Sequence, residues 1–408
     1  MVDEIISEPV ARQNRFASLD VLRGFAVLAI FVVNIKAMLA PFPYYANPSL
    51  WSGPHDMMVA SLQAFLIDDK WRTIFTALFG AGLVLLAEKS ARAGAKPTAR
   101  IVRRNLWLLA FGLVHMIGIW IGDILTNYAL TGFVAMLFCQ KSAKALWAWA
   151  IGIFLVAFVW LNGVNLLFLQ VPEARAEIEP ILWFPGAEEL RKVFAIYLSP
   201  DPLTHISARA GEAAGFIPFT VLGGFSAMTL SIMLAGMALW RNGFLKGALS
   251  AKTYGWIAVI GLSIAIATDA GRWFALVQSD WSFEIFNYSQ LSNSFNGLAG
   301  GIGYSALILW LMKKGHAFGP MAAVGRMAFS NYIACSLIGT TLAGGHAFAL
   351  YSKLSNFEMM GIVAITWIIL ILFSVAWLSV FRFGPLEWLW RSLTYGRLQP
   401  ILKERAGA

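Results

Sequence analysis

Apolar residues run along this chain in long stretches, and polar residues gather in the gaps between them. A helix needs ~20 predominantly apolar residues to cross a hydrocarbon core. About ten stretches approach that length: Leu19 to Ala40, Trp71 to Ala87, Asn105 to Ile121, a run ending near Cys139, Ala145 to Leu169, Phe216 to Trp240, Tyr254 to Val277, Phe295 to Met312, Val324 to Gly344 and Met359 to Phe381. The pattern predicts an all-α, polytopic membrane bundle of about ten transmembrane helices. Most joins are short, and a tight Gly122-Asp123 turn links the third and fourth runs. Two joins are longer: Pro41 to Asp69, and an acidic loop over 172–215 with Pro200 and Pro202. The second is long enough for interfacial helices or a lid. No repeat, low-complexity stretch or linker breaks the pattern, so 1–408 reads as a single transmembrane domain.

Composition sharpens this. Hydrophobic residues make up 59% of the chain and charged residues 13%, against about 25% charged in soluble domains. The net charge of +9 would raise nucleic acid as a partner for a soluble protein. Here the basic residues sit in short joins beside apolar runs and form no basic stripe interleaved with aromatics, so nucleic acid is excluded. Their distribution sets orientation instead. Lys89, Arg92, Lys96, Arg100, Arg103 and Arg104 share one join; Lys141 and Lys144, Arg241, Lys246 and Lys252, Lys313 and Lys314, and Arg391, Arg397, Lys403 and Arg405 occupy the alternate ones. Pro41 to Met58 and Ser279 to Asn293 contain no Lys or Arg, and Glu173 to Glu189 is acidic. The alternation predicts both termini in the cytoplasm, with 1–17 and 383–408 as cytoplasmic segments and 172–215 outside. Met1 to Val10 is acidic, and Pro41 directly follows Ala40. The first run is therefore an uncleaved span rather than a signal peptide. Cys139 and Cys335 have no metal or redox spacing, fall on expected helices and read as packing residues.

Polar residues within spans are expensive and usually face a cavity or a partner. An inner group comprises Asp20 and Arg23, three apart on one helix face, with Arg326, Ser330, Asn331, Glu387 and Arg391. It reads either as snorkelling anchors and structural ion pairs or as a basic pocket for a phosphate-bearing cytoplasmic ligand. An outer group comprises Asn34 on the Arg23 stripe, Asp68, Asp69, Lys70, Arg72, His115, Asp123, Asn127, the Asp269/Arg272 pair, Asn293 and Asn296. His115 is the most informative residue, lying roughly 10 Å below the outer turn in an apolar run. It is either hydrogen-bonded to a neighbouring helix or a general base, since histidine exchanges protons near neutrality. Asn127 or Tyr128 falls at similar depth across the Gly122-Asp123 turn. Gly297 to Gly303 reads as a close helix contact. There is no P-loop, HExxH, GxSxG, GxGxxG or metal-ligand spacing.

Five stretches, in order along nearly the whole chain, resemble the YeiB-like family, known as domain of unknown function 418. They are Ser18 to Ala26 (SLDVLRGFA), Lys70 to Gly82 (KWRTIFTALFGAG), Gly112 to Gly132 (GLVHMIGIWIGDILTNYALTG), Gly325 to Tyr332 (GRMAFSNY) and Phe383 to Gly396 (FGPLEWLWRSLTYG). The Leu22-Arg23-Gly24 start and an intramembrane histidine also resemble the wider transmembrane acyltransferase group. That group contains the acyltransferase family 3 sugar O-acetylases and the lysosomal heparan glucosaminide N-acetyltransferases. The resemblance implies a bacterial inner-membrane enzyme. It would move an acyl group from cytoplasmic acyl-CoA, a donor rather than a resident cofactor, to an extracytoplasmic saccharide or lipid.

On that reading His115 and Asp123 are catalytic. Asn34, Arg72, Asn127, Asp269, Arg272 and Asn296 meet the acceptor or developing oxyanion. Asp20, Arg23, Arg326, Asn331, Glu387 and Arg391 hold the donor. Family 3 enzymes carry a histidine eleven residues after the arginine, where this chain has Asn34. Either His115 takes over that role or the chain is not an acyltransferase. The alternative is a transporter or flippase, which would also line a path with ionisable groups. The sequence displays neither an inverted repeat nor paired broken helices, which many transporter folds have. A structural or regulatory protein would not need polar groups at matched depths.

Overall fold

The computed structural model describes residues 17–92, 94 and 97–403. Met1 to Val10, Lys96 and Arg405, which entered the charge argument, lie outside the described residues. The first apolar run folds as α1 (Ala17–Leu39), and the segment after it as α2 (Phe42–Ala46), a 3-10 turn at Pro48–Leu50, and α3 (Asp56–Leu66). Next come α4 (Lys70–Arg92), α5 (Pro97–Gly118), α6 (Leu125–Ala135) with a 3-10 turn at Met136–Phe138, and α7 (Ala143–Leu169). The acidic loop forms α8 (Pro172–Leu182), α9 (Ala187–Tyr197) and the start of α10 (Pro202–Leu222). The chain continues through α11 (Phe225–Arg241), α12 (Ala251–Gln278), α13 (Phe283–Lys313), α14 (Gly319–Arg326), α15 (Ala328–Ala343), α16 (Asn356–Val380) and α17 (Pro385–Tyr395). Apart from an isolated bridge between Phe381 and Leu402, no strand pairing occurs among the described residues.

The protein is an all-α polytopic bundle, with differences from the expected spans. Among the described residues seven helical stretches, α3 and α4 counting as one, are long and apolar enough to cross a membrane, and two bent pairs raise the number to nine. The remaining run, Leu125–Phe138, is roughly 21 Å long at the helical rise, too short for a full crossing. The sixth and ninth expected spans are broken: α10 meets α11 at 58°, and α14 meets α15 at 79°. The expectation of unbroken helices is thus corrected. The first break has a local cause. Pro218 lies inside α10, where it removes a backbone donor, and Gly224 takes a φ of 89°, which glycine adopts without steric cost. The expected join at Ser279 to Asn293 is mostly helix, because α13 begins at Phe283.

Small residues set the closest contacts, as packing in lipid favours. A Cβ on Gly24 would collide with the carbonyl of Met321, and one on Gly325 with that of Asp20, so α1 and α14 meet backbone to backbone. Gly80 and Gly236 join α4 to α11 in the same way, and Gly303 packs on Gly261 between α13 and α12. Leu22, Ile35, Leu78, Leu83 and Met233 fill the centre. Val156, Val159, Ile365 and Leu372 point outward, as suits side chains facing lipid tails. Cys139 and Cys335 are buried, unbridged packing residues.

Hydrogen bonds tie the joins into two ends. At one end Ser18 donates to the carbonyl of Leu245, Arg241 to that of Cys139 and Trp390 to that of Arg104. At the other, Asn47 donates to the carbonyl of Trp183, Trp183 to that of Trp281, and Gln63 to Asn356. The basic joins gather at the first end, which predicts that it faces the cytoplasm. Single cysteines at Ser49, Glu188 and Lys353 should therefore react with an impermeant thiol reagent on intact cells, and one at Arg92 should not. Lys353 and Arg92 are both exposed, so a cysteine at either is reachable from its own side. Labelling at Arg92 from outside would invert the orientation.

Candidate functional site

The last turn of α5 carries His115, and the short turn after it brings Asp123 back against the same ring. Nδ1 of His115 lies 2.8 Å from Oδ1 of Asp123, with side-chain exposures of 1% and 0%. The other carboxylate oxygen accepts from the amide of Thr126 at 2.6 Å, so Asp123 also satisfies a free N–H at the start of α6. With Asp123 ionised, its carboxylate can only accept, so the contact requires the proton on Nδ1, and in a neutral ring Nε2 is then the acceptor nitrogen. Nε2 is buried without a hydrogen-bond partner among the described residues. The ring is boxed by Tyr332, centroid 5.1 Å away, and Trp120 at 6.5 Å. The carboxylate fixes the orientation of the ring through Nδ1.

Tyr332 is also the deep wall of a cavity of about 340 Å³ that opens toward the basic end. Leu125 and Tyr128 complete the deep end, and Tyr128 Oη shares a hydrogen bond of 2.5 Å with Thr76. The walls carry Arg23, Arg104, Arg326 and Arg391. Arg23 pairs with Asp20 at 3.4 Å, and Arg326 donates to the carbonyl of Arg382 at 3.2 Å. Arg391 lies 4.5 Å over the Phe383 ring. Arg104 sits between Phe79 at 4.7 Å and Trp390 at 4.4 Å, and its Nη1 has no hydrogen-bond partner among the described residues. Glu387 caps the broken start of α15: its Oε1 accepts from the amides of Phe329 and Ser330 at 2.7 and 3.0 Å, and its Oε2 from the Ser330 hydroxyl at 2.6 Å. Burial pushes the Glu387 carboxyl above its usual range, against the hydrogen bonds that favour its ionised form. Four guanidinium groups, two of them stacked over aromatic rings, suit a ligand carrying phosphates and a planar ring.

Over nearly its full length the chain is similar to the uncharacterised protein YeiB of Escherichia coli K12. Identity is 30% over 407 residues, covering 96% of this chain and 99% of YeiB. The chain belongs to the YeiB family. Residues 239–397 also match the family model described as protein of unknown function, DUF418. The uncharacterised protein YxaH of Bacillus subtilis 168 is 29% identical over 424 residues, covering 97% of this chain and 98% of YxaH.

Within this YeiB-family chain, the remaining sequence-derived residues divide between the cavity and structural contacts. Asp20, Arg23, Arg326, Glu387 and Arg391 line one cavity. Asn331 does not: it donates to the carbonyl of Val324 at 3.1 Å and to Ser374 at 3.0 Å, fastening α15 to α14 and α16. Asn34 is half-buried and lies outside the lining of that cavity. Asn127 turns to α11, bonding Thr229 at 3.0 Å and Ser226 at 2.6 Å. The expected Asp269/Arg272 pair is split. Asp269 pairs with Lys70 at 2.8 Å and accepts from Asn296 at 2.7 Å. Arg272 instead donates to Asn293 at 3.0 Å. Arg72 holds Asp69 at 2.7 Å, and Asn293 bonds the other oxygen of Asp69. Sequence reading missed Arg104, Tyr128 and Tyr332 as cavity walls. Arg104 had counted only as a basic residue of its join, although its place at the edge of an apolar run was a usable signal.

Proposed function

We propose that this protein is a transmembrane acyltransferase that takes an acyl group from acyl-CoA at the basic, cytoplasmic end and passes it to a hydroxyl arriving from the other side. The observation that carries this reading is the buried His115–Asp123 dyad, with Nε2 unpartnered behind Tyr332. Asp123 would fix the tautomer, and Nε2 would take the acceptor's proton as its oxygen attacks the thioester carbonyl. The proton then leaves with the CoA thiol. Arg23, Arg104, Arg326 and Arg391 would hold the phosphates at the cavity mouth, leaving the thioester end toward Tyr128 and Tyr332.

Calorimetry on the purified protein tests the donor site. CoA should bind, and Arg23→Ala, Arg104→Gln or Arg326→Ala should each weaken it roughly tenfold or more, a charge-assisted hydrogen bond being worth ~1.5–3 kcal/mol. No CoA binding to well-folded protein would sink the reading and favour the second one, a transporter. Transport has its own supporting observation: the two bent helix pairs, since interrupted spans form substrate sites in many transporters.

A further inference from the structure

A second cavity, of about 150 Å³, lies where α10 and the end of α15 close over the end of α5. It is at the opposite end of the bundle from the four arginines. Trp120, which packs against His115, is part of its wall. Its polar lining is Tyr197, His205, Arg209, Thr340, Thr341 and His346, with no carboxylate among the described residues that line it. Arg209 donates from Nε to the carbonyl of Ile117 at 2.8 Å and from Nη2 to that of Gly118 at 3.0 Å. Those carbonyls end the helix that carries His115, two and three residues after it, so the clamp is within about 5 Å of His115 along the axis. Nη1 of Arg209 makes no hydrogen bond among the described residues. His205 Nε2 lies 2.9 Å from the carbonyl of Ser199; it must donate there, so in the neutral ring Nδ1 is left as an acceptor. The His346 ring stands 4.8 Å from the His205 ring. Its proton affinity is lowered by burial and then by the charges of His205 and Arg209. Two imidazoles without a third ligand do not make a zinc site. Arg209 and His346 present donors to the cavity and its lining holds no carboxylate, which suits an anion; Glu212, three residues along α10, lies outside the lining and partly offsets the Arg209 charge.

We propose that this cavity binds an anionic polyol, seating its phosphate or carboxylate on Arg209 and His346, with a polyol hydroxyl donating to Nδ1 of His205. It rests on the acyltransferase reading only in directing the polyol's hydroxyl past Trp120 toward His115; anion binding stands on the cavity itself. The same chemistry is offered by the phosphoglycerol head of a membrane lipid and by free glycerol phosphate.

The test uses full-length detergent-solubilised protein. Native mass spectrometry compares retention of phosphatidylglycerol and phosphatidylcholine from an equimolar mixture, and calorimetry compares glycerol phosphate with glycerol. His346→Gln and Arg209→Gln are measured alongside. His346 is exposed and makes no hydrogen bond among the described residues, so its variant keeps the test valid if Arg209→Gln misfolds. A preference for phosphatidylglycerol that His346→Gln reduces roughly tenfold supports the proposal with a lipid source. The same loss for glycerol phosphate, with no lipid preference, supports it with a soluble source. The proposal is overturned if both anions bind no better than their neutral counterparts, or if an anion preference survives both variants unchanged. None of these readouts involves acyl-CoA, so failure of acyl transfer and failure of anion binding are separate results.

Discussion

His115→Gln should leave the protein folded and, if the protein transfers acyl groups as proposed, slow that transfer by roughly 10²–10⁴-fold, the usual value of a positioned general base. Glutamine nearly matches the ring in reach and can still donate a hydrogen bond to Asp123, so the 2.8 Å contact has a substitute. What is lost is the basic Nε2, buried and unpartnered. Asp123→Asn should act in the same direction by a different route. An amide can donate to Nδ1 and hold the proton on Nε2, the wrong tautomer for a base. The measurement is mass spectrometry of envelope acylation in a deletion strain, with each variant at wild-type level and monodisperse. Full acylation by His115→Gln would remove histidine from the mechanism and leave the dyad as a helix-to-turn bolt. An unfolded variant would instead show loss from the membrane fraction, which the same preparation reports.

The elements that formed this dyad were partly legible. His115 stood out as an ionisable residue in an apolar run, and the Gly122-Asp123 turn is short enough to return the chain against it. Local contacts of this kind are visible because few residues separate the partners: Asp20 and Arg23 on one helix face, and His115 and Asp123 across one turn. Partners set by tertiary packing were not visible. Asp269 had an obvious mate three residues on in Arg272, yet the close α12–α13–α4 packing at Gly261, Gly300 and Gly303 brings Lys70 to it instead. Asn331 and Asn127 looked like cavity residues because they lie in spans, but a helix has several faces and theirs meet neighbours. The broken helices were hidden for a related reason. Hydropathy sums along the chain and does not register direction, so the 58° and 79° bends leave each apolar run intact. His205 and His346 lie on separate segments, with nothing in either to announce the other.

The Lys70–Asp269 pair should dominate stability among the ion pairs of this protein. Its side chains are exposed by only 1% and 3%, so both charges have left water. The Lys70 ammonium donates to the carbonyls of Ala64 at 2.9 Å and Asp68 at 3.4 Å, and its 2.8 Å approach to Asp269 is a contact ion pair. Asn296 supplies a further bond to the carboxylate. Removing one member of such a pair strands the other charge, which costs about 3–5 kcal/mol. Lys70→Met should therefore lower the thermal midpoint in detergent sharply, followed as loss of the monodisperse peak on heating. The double change Lys70→Met/Asp269→Leu removes both charges and should recover most of that loss, because apolar replacements of similar volume often equal a buried pair. Arg191 and Glu188, at 3.4 Å with side chains 76% and 58% exposed, provide the contrast: Arg191→Ala should change stability by at most about 1 kcal/mol. If Lys70→Met unfolds no sooner than Arg191→Ala, burial is not what gives this pair its weight. If the double variant is worse than either single, the pair contributes net stability beyond offsetting its own desolvation, and α4, α12 and α13 are held together by charge rather than by their glycine contacts.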